Sequence, residues 1–247
     1  MNATRTSNEI EVSIVMPAYN EEANLEKTVR ECLETLEKEQ IPGEVVVTND
    51  GSQDGTLHIL ERLSEAFQSV RYIDLKQNLG YGGALKKAID ASTGRYVVTI
   101  DSDGQFDIQD MPRLLAKIRE GYDCVTGFRT RKKDTLPRVI ANWGYNFLVK
   151  LLCGISFTDA QCALKIYRGD VIRSLDLEAR GFTFPTETLI KLKYYGYRIA
   201  ELPITHRHRE GGESKVHFFK TVRIMFIFLL YIRFKLALHR NRIIYKF

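Results

Sequence analysis

Asp101 and Asp103 stand two residues apart, directly after the apolar run 96–100 and directly before Gly104-Gln105. If extended geometry carries past the run, residues i and i+2 present both carboxylates to one side. Carboxylates held side by side repel and raise each other's pKa unless a cation lies between them. A hard divalent ion with oxygen ligands, Mg²⁺ or Mn²⁺, relieves that repulsion and can bridge to phosphate oxygens. Gly104 permits close backbone approach, and Gln105 adds a neutral oxygen ligand or an amide donor. The same five letters also describe a solvated acidic turn. Position in the fold has to separate the two readings.

The surrounding pattern supplies that position. Residues 10–16 read as a buried strand stopped by Pro17, and Leu25, Val29, Cys32, Leu33 and Leu36 recur at helical spacing up to Pro42. Strand 44–48, helix 56–67, strand 70–75, helix 83–91 and strand 96–100 follow. This alternation predicts an α/β fold, a mostly parallel sheet with helices on both faces and right-handed crossovers. Ligands in such sheets bind beyond the carboxyl ends of the strands. Tyr19-Asn20-Glu21, Asn49-Asp50, Asn78 and the pair Asp101/Asp103 fall at four successive strand exits. Their convergence on one edge points to a nucleotide site.

From about residue 120 the alternation loosens. Strands are expected at 124–127, 164–167 and 198–202, with helices at 142–153 and 186–195. The expected organisation is a flexible lead-in at 1–9, a catalytic domain at 10–210, and a basic loop with a C-terminal helix at 211–247.

Composition narrows the class. The chain has 247 residues, 44% hydrophobic and 27% charged, enough for one substantial core and too apolar for wholesale disorder. The net charge of +5 suits an anionic partner. Cys32, Cys124, Cys153 and Cys162 include no CxxC pair, so reduced thiols are expected. The polar segment 1–11 lacks an apolar h-region, which argues against a cleaved signal peptide and for a cytoplasmic location.

Pro17-Ala18-Tyr19-Asn20-Glu21, Asn49-Asp50-Gly51-Ser52-Gln53-Asp54-Gly55-Thr56 and Asp101-Ser102-Asp103-Gly104-Gln105, in this order, resemble a family 2 glycosyltransferase of the GT-A fold. The stretch 196–204, with the later Arg209 and Ser214-Lys215, resembles the branch that makes polyprenyl-phosphate or dolichyl-phosphate hexoses, mannose or glucose type. The likeness covers roughly residues 10–217. It implies that Pro17, Tyr19 and Glu21 line a nucleoside pocket and that Asp50 contacts base or ribose. It implies that Asp101, Ser102, Asp103 and Gln105 hold metal and the donor's diphosphate. Arg129 resembles a family arginine near the phosphates or acceptor, and Arg209 and Lys215 match basic positions on a closing loop. There are departures. Asn49 stands where the pattern has a first carboxylate, and Ala163-Leu164 replace Gly-Phe in the stretch from Asp159 to Lys165.

The reaction this implies is inverting displacement at the anomeric carbon by a lipid phosphate, with nucleoside diphosphate leaving. Such a nucleophile is already anionic and needs no strong base. It needs cations, for which Arg129, Arg209 and Lys215 are the candidates. A hydroxyl acceptor would need a carboxylate base; Glu187 occupies the place of one, and is equally readable as a helix N-terminal residue favoured by the macrodipole. His206 and His208 are read as surface or phosphate-contact groups rather than a metal pair. The turn 78–83 matches neither a P-loop nor a dinucleotide fingerprint, so Asn78 belongs to the donor site by position alone.

The segment 218–238 is strongly apolar but interrupted by Lys220, Arg223, Arg233 and Lys235. Its uninterrupted core, 224–232, would be roughly 14 Å long as a helix, about half a hydrocarbon layer. An amphipathic helix lying on the cytoplasmic face of a membrane is expected, with a core helix or oligomer contact as the alternative. Expected partners are therefore a nucleotide sugar, a polyprenyl or dolichyl phosphate and a membrane surface through 218–247, with no nucleic acid. A membrane subunit or a second copy stays open. Two other functions remain to be weighed: a family 2 enzyme acting on a glycan hydroxyl with Glu187 as base, and a silent nucleotide-sugar-binding subunit of a membrane complex.

Overall fold

The computed structural model describes residues 9–130, 136–207, 218–244 and 247. Strands β1 (Val12–Ala18), β2 (Gly43–Asn49), β3 (Val70–Asp74) and β4 (Tyr96–Thr99) alternate with helices α1 (Leu25–Lys38), α2 (Thr56–Ala66) and α3 (Tyr81–Ala91). A 3₁₀ turn at Ile108–Asp110 leads into α4 (Met111–Ile118), then β5 (Cys124–Arg129), α5 (Leu136–Cys153), β6 (Lys165–Arg168), α6 (Gly169–Ser174), α7 (Phe184–Tyr194), β7 (Ile199–Ile204) and α8 (Phe218–Arg240). The seven strands form one sheet in the order β3-β2-β1-β4-β6-β5-β7. β1 pairs parallel with β2 and β4, and β2 with β3. β6 runs antiparallel to both its neighbours, and β7 is parallel to β5. Six strands therefore share one direction, as the alternation predicts.

Strands covered on both faces read as continuous apolar runs, and β1 is buried at every residue. Val12, Ile14, Met16 and Ala18 face a core shared with α1, α2 and α4, while Val15 faces one shared with α3, α6 and α7. Each such buried aliphatic contributes about 1.5–3 kcal/mol. A third cluster joins Tyr145 and Val149 of α5, Ile190 of α7, and Leu229, Ile232 and Leu236 of α8.

Pro17 does not stop β1, contrary to expectation. It lies within the strand, opposite Thr48 of β2. Val15, two residues earlier, gives its carbonyl to Ile100 on the β4 side, so the backbone of Pro17 faces the same way, where β4 has already ended. No ladder bond is lost by its missing N–H, and its carbonyl accepts instead from Ser102 Oγ at 2.8 Å. α4 and α6 were not anticipated, although Met111, Leu114, Leu115 and Ile118, all buried, have helical spacing behind a Pro at the first turn. α5 begins at Leu136, six residues ahead of the expected start.

The C-terminal helix also differs from expectation. It is apolar on two sides rather than one. Leu229, Ile232 and Leu236 pack inward, while Ile224, Ile227, Leu230, Tyr231 and Phe234 are exposed. Among the described residues no helix is long and apolar enough to cross a membrane.

Candidate active site

The order β3-β2-β1-β4 places a topological switch between β1 and β4, because the chain winds outward from β1 to β3 and then returns to its other side. A crevice opens at the carboxyl ends there. Asp101 follows β4 into it, and Tyr19 to Glu21 follow β1.

Asp101 Oδ1 accepts a hydrogen bond from Tyr81 Oη at 2.8 Å. Burial and the charge of Asp103 raise the Asp101 carboxyl to about 7, against the opposing pull of Tyr81 and the Arg129 guanidinium. Asp103 Oδ1 accepts from the Gln105 amide at 3.1 Å, which shapes the turn around Gly104. Ser102 points the other way: it is 5% exposed and bonds back to Pro17. Its hydroxyl thereby ties the aspartate loop to the end of β1. Beside Asp103 a shallow surface cleft is lined by Asn24, Lys27, Thr28, Glu31 and Gly104.

The exits of β1 and β2 are laced together. Asn20, at φ 50°, accepts from the Gln53 amide through Oδ1 at 2.7 Å, and its own amide donates to Ser52 Oγ. Glu22 accepts from the Gly55 amide, and the Glu21 amide donates to Thr56 Oγ1. Tyr19 stays 37% exposed at this rim. Asn49 donates to Asp74 at 2.7 Å and accepts from the Ser52 amide. The missing first carboxylate therefore has a reason: an aspartate at 49 would face Asp74.

Asp50 is spent on the neighbouring loop. Its carboxylate accepts from the Leu79 and Gly80 amides at 2.6 and 3.0 Å, and Asn78 Nδ2 donates to its carbonyl. Burial raises its pKa, with those two amides pulling the other way. The glycines beyond have a steric cause. A Cβ on Gly80 would lie 2.5 Å from the Arg180 carbonyl oxygen, and one on Gly82 would lie 2.0 Å from that of Ala179. The start of α3 is thus docked against residues 179–180, and the Gly82 amide donates to the Arg180 carbonyl at 2.8 Å. Tyr81, held between these glycines and stacked on Phe182 with centroids 5.4 Å apart, is the site residue that sequence reasoning missed. An aromatic at a helix start looks like core; the flanking glycines were its only signal.

Arg129, at the end of β5, makes a bidentate pair with fully buried Asp159, Nε to Oδ2 at 2.6 Å and Nη2 to Oδ1 at 3.0 Å. Lys165 is fully buried nearby, donates to the Cys162 carbonyl, and has its pKa lowered by burial. Glu187 is not at an open surface. It is 0% exposed, accepts from the Glu178 and Ala179 amides at 2.8–3.1 Å and pairs with Lys191 at 3.0 Å. Glu187, readable from the sequence as a base or as a helix N-terminal group, thus has its oxygens taken up by two backbone amides and Lys191.

Beyond β7, the Arg207 amide donates to the Gln105 carbonyl at 2.7 Å and His206 bridges Phe106. Arg207 also pairs with Glu31 and Asp107. The chain therefore leaves β7 alongside the aspartate loop, heading into 208–217. Arg209, Lys215, His208 and the expected boundary at 211 lie outside the described residues. Among those described, no three His, Cys, Asp or Glu converge as a metal cluster. Two carboxylates beside open space are nonetheless what Mg²⁺ and Mn²⁺ use when phosphates and water complete the shell.

Residues 13–176 match the model of glycosyl transferase family 2. Glycosyltransferase AglD of Haloferax volcanii is 34% identical over 224 residues, covering 87% of this chain and 35% of AglD. The chain thus spans about a third of the length of that relative. Among solved structures, glucosyl-3-phosphoglycerate synthase from Mycobacterium tuberculosis in complex with phosphoglyceric acid aligns with a TM-score of 0.70 at 22% identity, over 90% of this chain and 79% of that one. The same enzyme with Mn²⁺, uridine diphosphate and glucosyl-3-phosphoglycerate aligns over the same shares with a TM-score of 0.70 at 21% identity. Those likenesses carry the GT-A fold.

Proposed function

Because the chain belongs to glycosyl transferase family 2, we propose that it moves a hexose, with inversion, from a nucleoside-diphosphate sugar to a polyprenyl phosphate at the cytoplasmic face of a membrane. The observation that carries this reading is the electrostatically opposed pair Asp101/Asp103 at the switch point, with Arg129 on the same sheet edge. Asp101 and Asp103 would hold Mg²⁺ or Mn²⁺ with Gln105 beside them, and the ion would supply positive charge to the departing diphosphate. Tyr19 and Glu21 would border the nucleoside, with Pro17 behind them. Asp50 and Asn78 would set the loop that edges the donor pocket, and Ser102 the turn that aims the aspartates.

Arg129, oriented by Asp159, with Arg209 and Lys215, would let an anionic acceptor approach an anionic donor. The enclosure of Glu187 favours this acceptor over a glycan hydroxyl, since a phosphate needs no base. Aspartates kept under mutual repulsion speak against a silent binding subunit.

Membrane attachment has support from two helices. α8 and α5 pack together, Trp143, Phe147 and Leu151 form an exposed stripe on α5, and α8 carries exposed apolar residues of its own. Residues 136–153 and 218–247 contain lysines and arginines but no aspartate or glutamate. That combination suits anionic headgroups over an apolar layer and would repel a second copy.

The test is transfer by purified protein with Mg²⁺ or Mn²⁺, a panel of nucleotide sugars, and a short polyprenyl phosphate alongside phosphoglyceric acid. Labelled lipid product, lost in Asp103→Ala, is the expected result. Transfer only to sugars or to phosphoglycerate, with none to lipid phosphate, would sink the acceptor. Trp143 is the chain's single tryptophan, so its emission should shift to the blue with anionic vesicles and stay put with zwitterionic ones. No shift with either removes the membrane part.

A further inference from the structure

We propose that Tyr81 is the positioning residue for Asp101, and that Glu187 acts on the same carboxylate from behind, by anchoring residues 178–182 rather than by moving a proton. The inference rests on Asp101 being a cation ligand, as proposed above. The path is continuous. Lys191 holds Glu187 at 3.0 Å, and Glu187 takes up the amides of Glu178 and Ala179. Two residues further on, the Arg180 carbonyl accepts from the Gly82 amide at 2.8 Å and from Gly83 at 3.4 Å. These are N–H groups that a helix start leaves without intrahelical partners, so residues 178–180 cap α3.

Phe182, in the same segment, stacks on the Tyr81 ring at an interplanar angle of 27°. The Tyr81 backbone is fixed by the cap and its ring by the stack, and its hydroxyl then reaches Asp101 Oδ1 at 2.8 Å. A carboxylate oxygen offers more than one lone pair. The hydroxyl therefore fixes the plane of Asp101 and leaves Oδ2 and the remaining lone pairs for a cation. Groups that orient a ligating carboxylate in this way are worth about 10–100-fold in metal affinity or activity. Glu187 has no route to the reacting atoms except through this segment, because its oxygens are occupied by the two amides and by Lys191.

Tyr81→Phe is the clean test, since it keeps the ring and its stack and removes only the hydroxyl. Mn²⁺ binding, followed by the spin-resonance signal of the free ion with uridine diphosphate present, is expected to weaken about 10–100-fold. The metal-free unfolding midpoint should hold, and transfer should recover towards wild type as Mn²⁺ is raised. Unchanged Mn²⁺ affinity would overturn the role of Tyr81.

Glu187→Gln should weaken Mn²⁺ binding in the same direction, and together with Tyr81→Phe the loss should fall short of the product of the two. Abolished transfer at wild-type Mn²⁺ affinity would make Glu187 a base and overturn the second half. Should Glu187→Gln fail to fold, Gly82→Ala presses on the Ala179 carbonyl and tests the same segment. It too should weaken Mn²⁺ binding, and an unchanged affinity counts against the path. Asp103→Ala is the control: Mn²⁺ binding that survives it would refute the carboxylate pair as the metal site and hence the proposed function, independently of Tyr81.

Discussion

The two edges of the sheet each hold a carboxylate, buried at one and half-buried at the other, and they treat it in opposite ways. At the amino edge Glu44, 2% exposed, accepts from Ser13 Oγ, from the amide and hydroxyl of Thr93, and from Arg71 at 2.7 Å. Burial pushes its pKa up, but those bonds outweigh burial and the net shift is downward. At the carboxyl edge Asp101 has one hydroxyl and a negative neighbour, and its carboxyl rises to about 7. Desolvation pushes both pKa values up and so identifies neither. What sets the carboxyl edge apart is charge that the protein's own donors leave uncompensated, the mark of a candidate site. Glu44 ties strands β1, β2 and β3 to the turn before β4; Asp101 reaches only Tyr81 at the start of α3, and its charge is opposed by that of Asp103.

That contrast breaks most sharply under substitution. Asp103→Ala should cut transfer at least about 100-fold, while the metal-free protein keeps or gains thermal stability because a repulsion is relieved. Glu44→Gln should do the reverse. Turnover per folded molecule should hold, and urea unfolding should report a loss of about 2 kcal/mol from donors left poorly matched. A loss of activity in Glu44→Gln with stability intact would erase the distinction between the edges.

The edges should also answer pH with opposite signs. The folded pKa of Glu44 lies below its ordinary 4.5, so its stabilisation is present above that value and drains away as pH falls through the folded one. The folded value of Asp101, about 7, lies above its ordinary 3.8, so its ionisation costs stability increasingly as pH rises from 3.8 to 7. Thermal midpoints against pH, measured with chelator present, should lose the acid slope in Glu44→Gln and the neutral slope in Asp101→Asn.

The carboxyl edge was legible in the sequence because parallel buried strands write continuous apolar runs and their exits fall in register. Asp101 and Asp103 stood out by spacing together with their place directly after an apolar run. Tyr81 and the enclosure of Glu187 did not, since both depend on residues 178–182 meeting the start of α3, a contact nearly a hundred residues apart in the chain. Pro17 misled for a related reason. Whether a proline ends a strand depends on what its missing N–H would have faced, and here β4 had already stopped. α8 looked amphipathic because cations interrupt it, yet a helix apolar on two sides needs two neighbours, and its neighbour α5 is distant in sequence.

A smaller effect sharpens the contrast within the functional edge. Asn49→Asp supplies the first acid of the motif that the sequence resembles, but Asn49 donates to Asp74 at 2.7 Å, and two carboxylates would then meet. A destabilisation of about 1–3 kcal/mol is expected, recovered when Asp74→Asn is added. If Asn49→Asp is neutral alone, the explanation for the missing acid is wrong.

The smallest effect belongs to Arg207. It joins Glu31 at 2.9 Å and Asp107 at 2.7 Å, but it is 31% exposed, as an outer clasp of the aspartate loop. Half-exposed pairs of this kind are worth up to about 1 kcal/mol, because solvent screens them and two long side chains must be held still. Arg207→Ala should therefore barely move the unfolding midpoint. The Gln105 carbonyl keeps its bond from the residue 207 amide, which does not depend on the side chain. Its consequence should instead fall on the cleft beside Asp103, which Glu31 lines: with the guanidinium gone, the Glu31 carboxylate loses a neutralising partner beside the proposed donor site. A severalfold rise in KM for the nucleotide sugar with kcat unchanged, larger at low salt, is the expected signature. An equal fall in kcat would mean that Arg207 reaches the departing diphosphate itself and belongs with Arg129 rather than with the clasp.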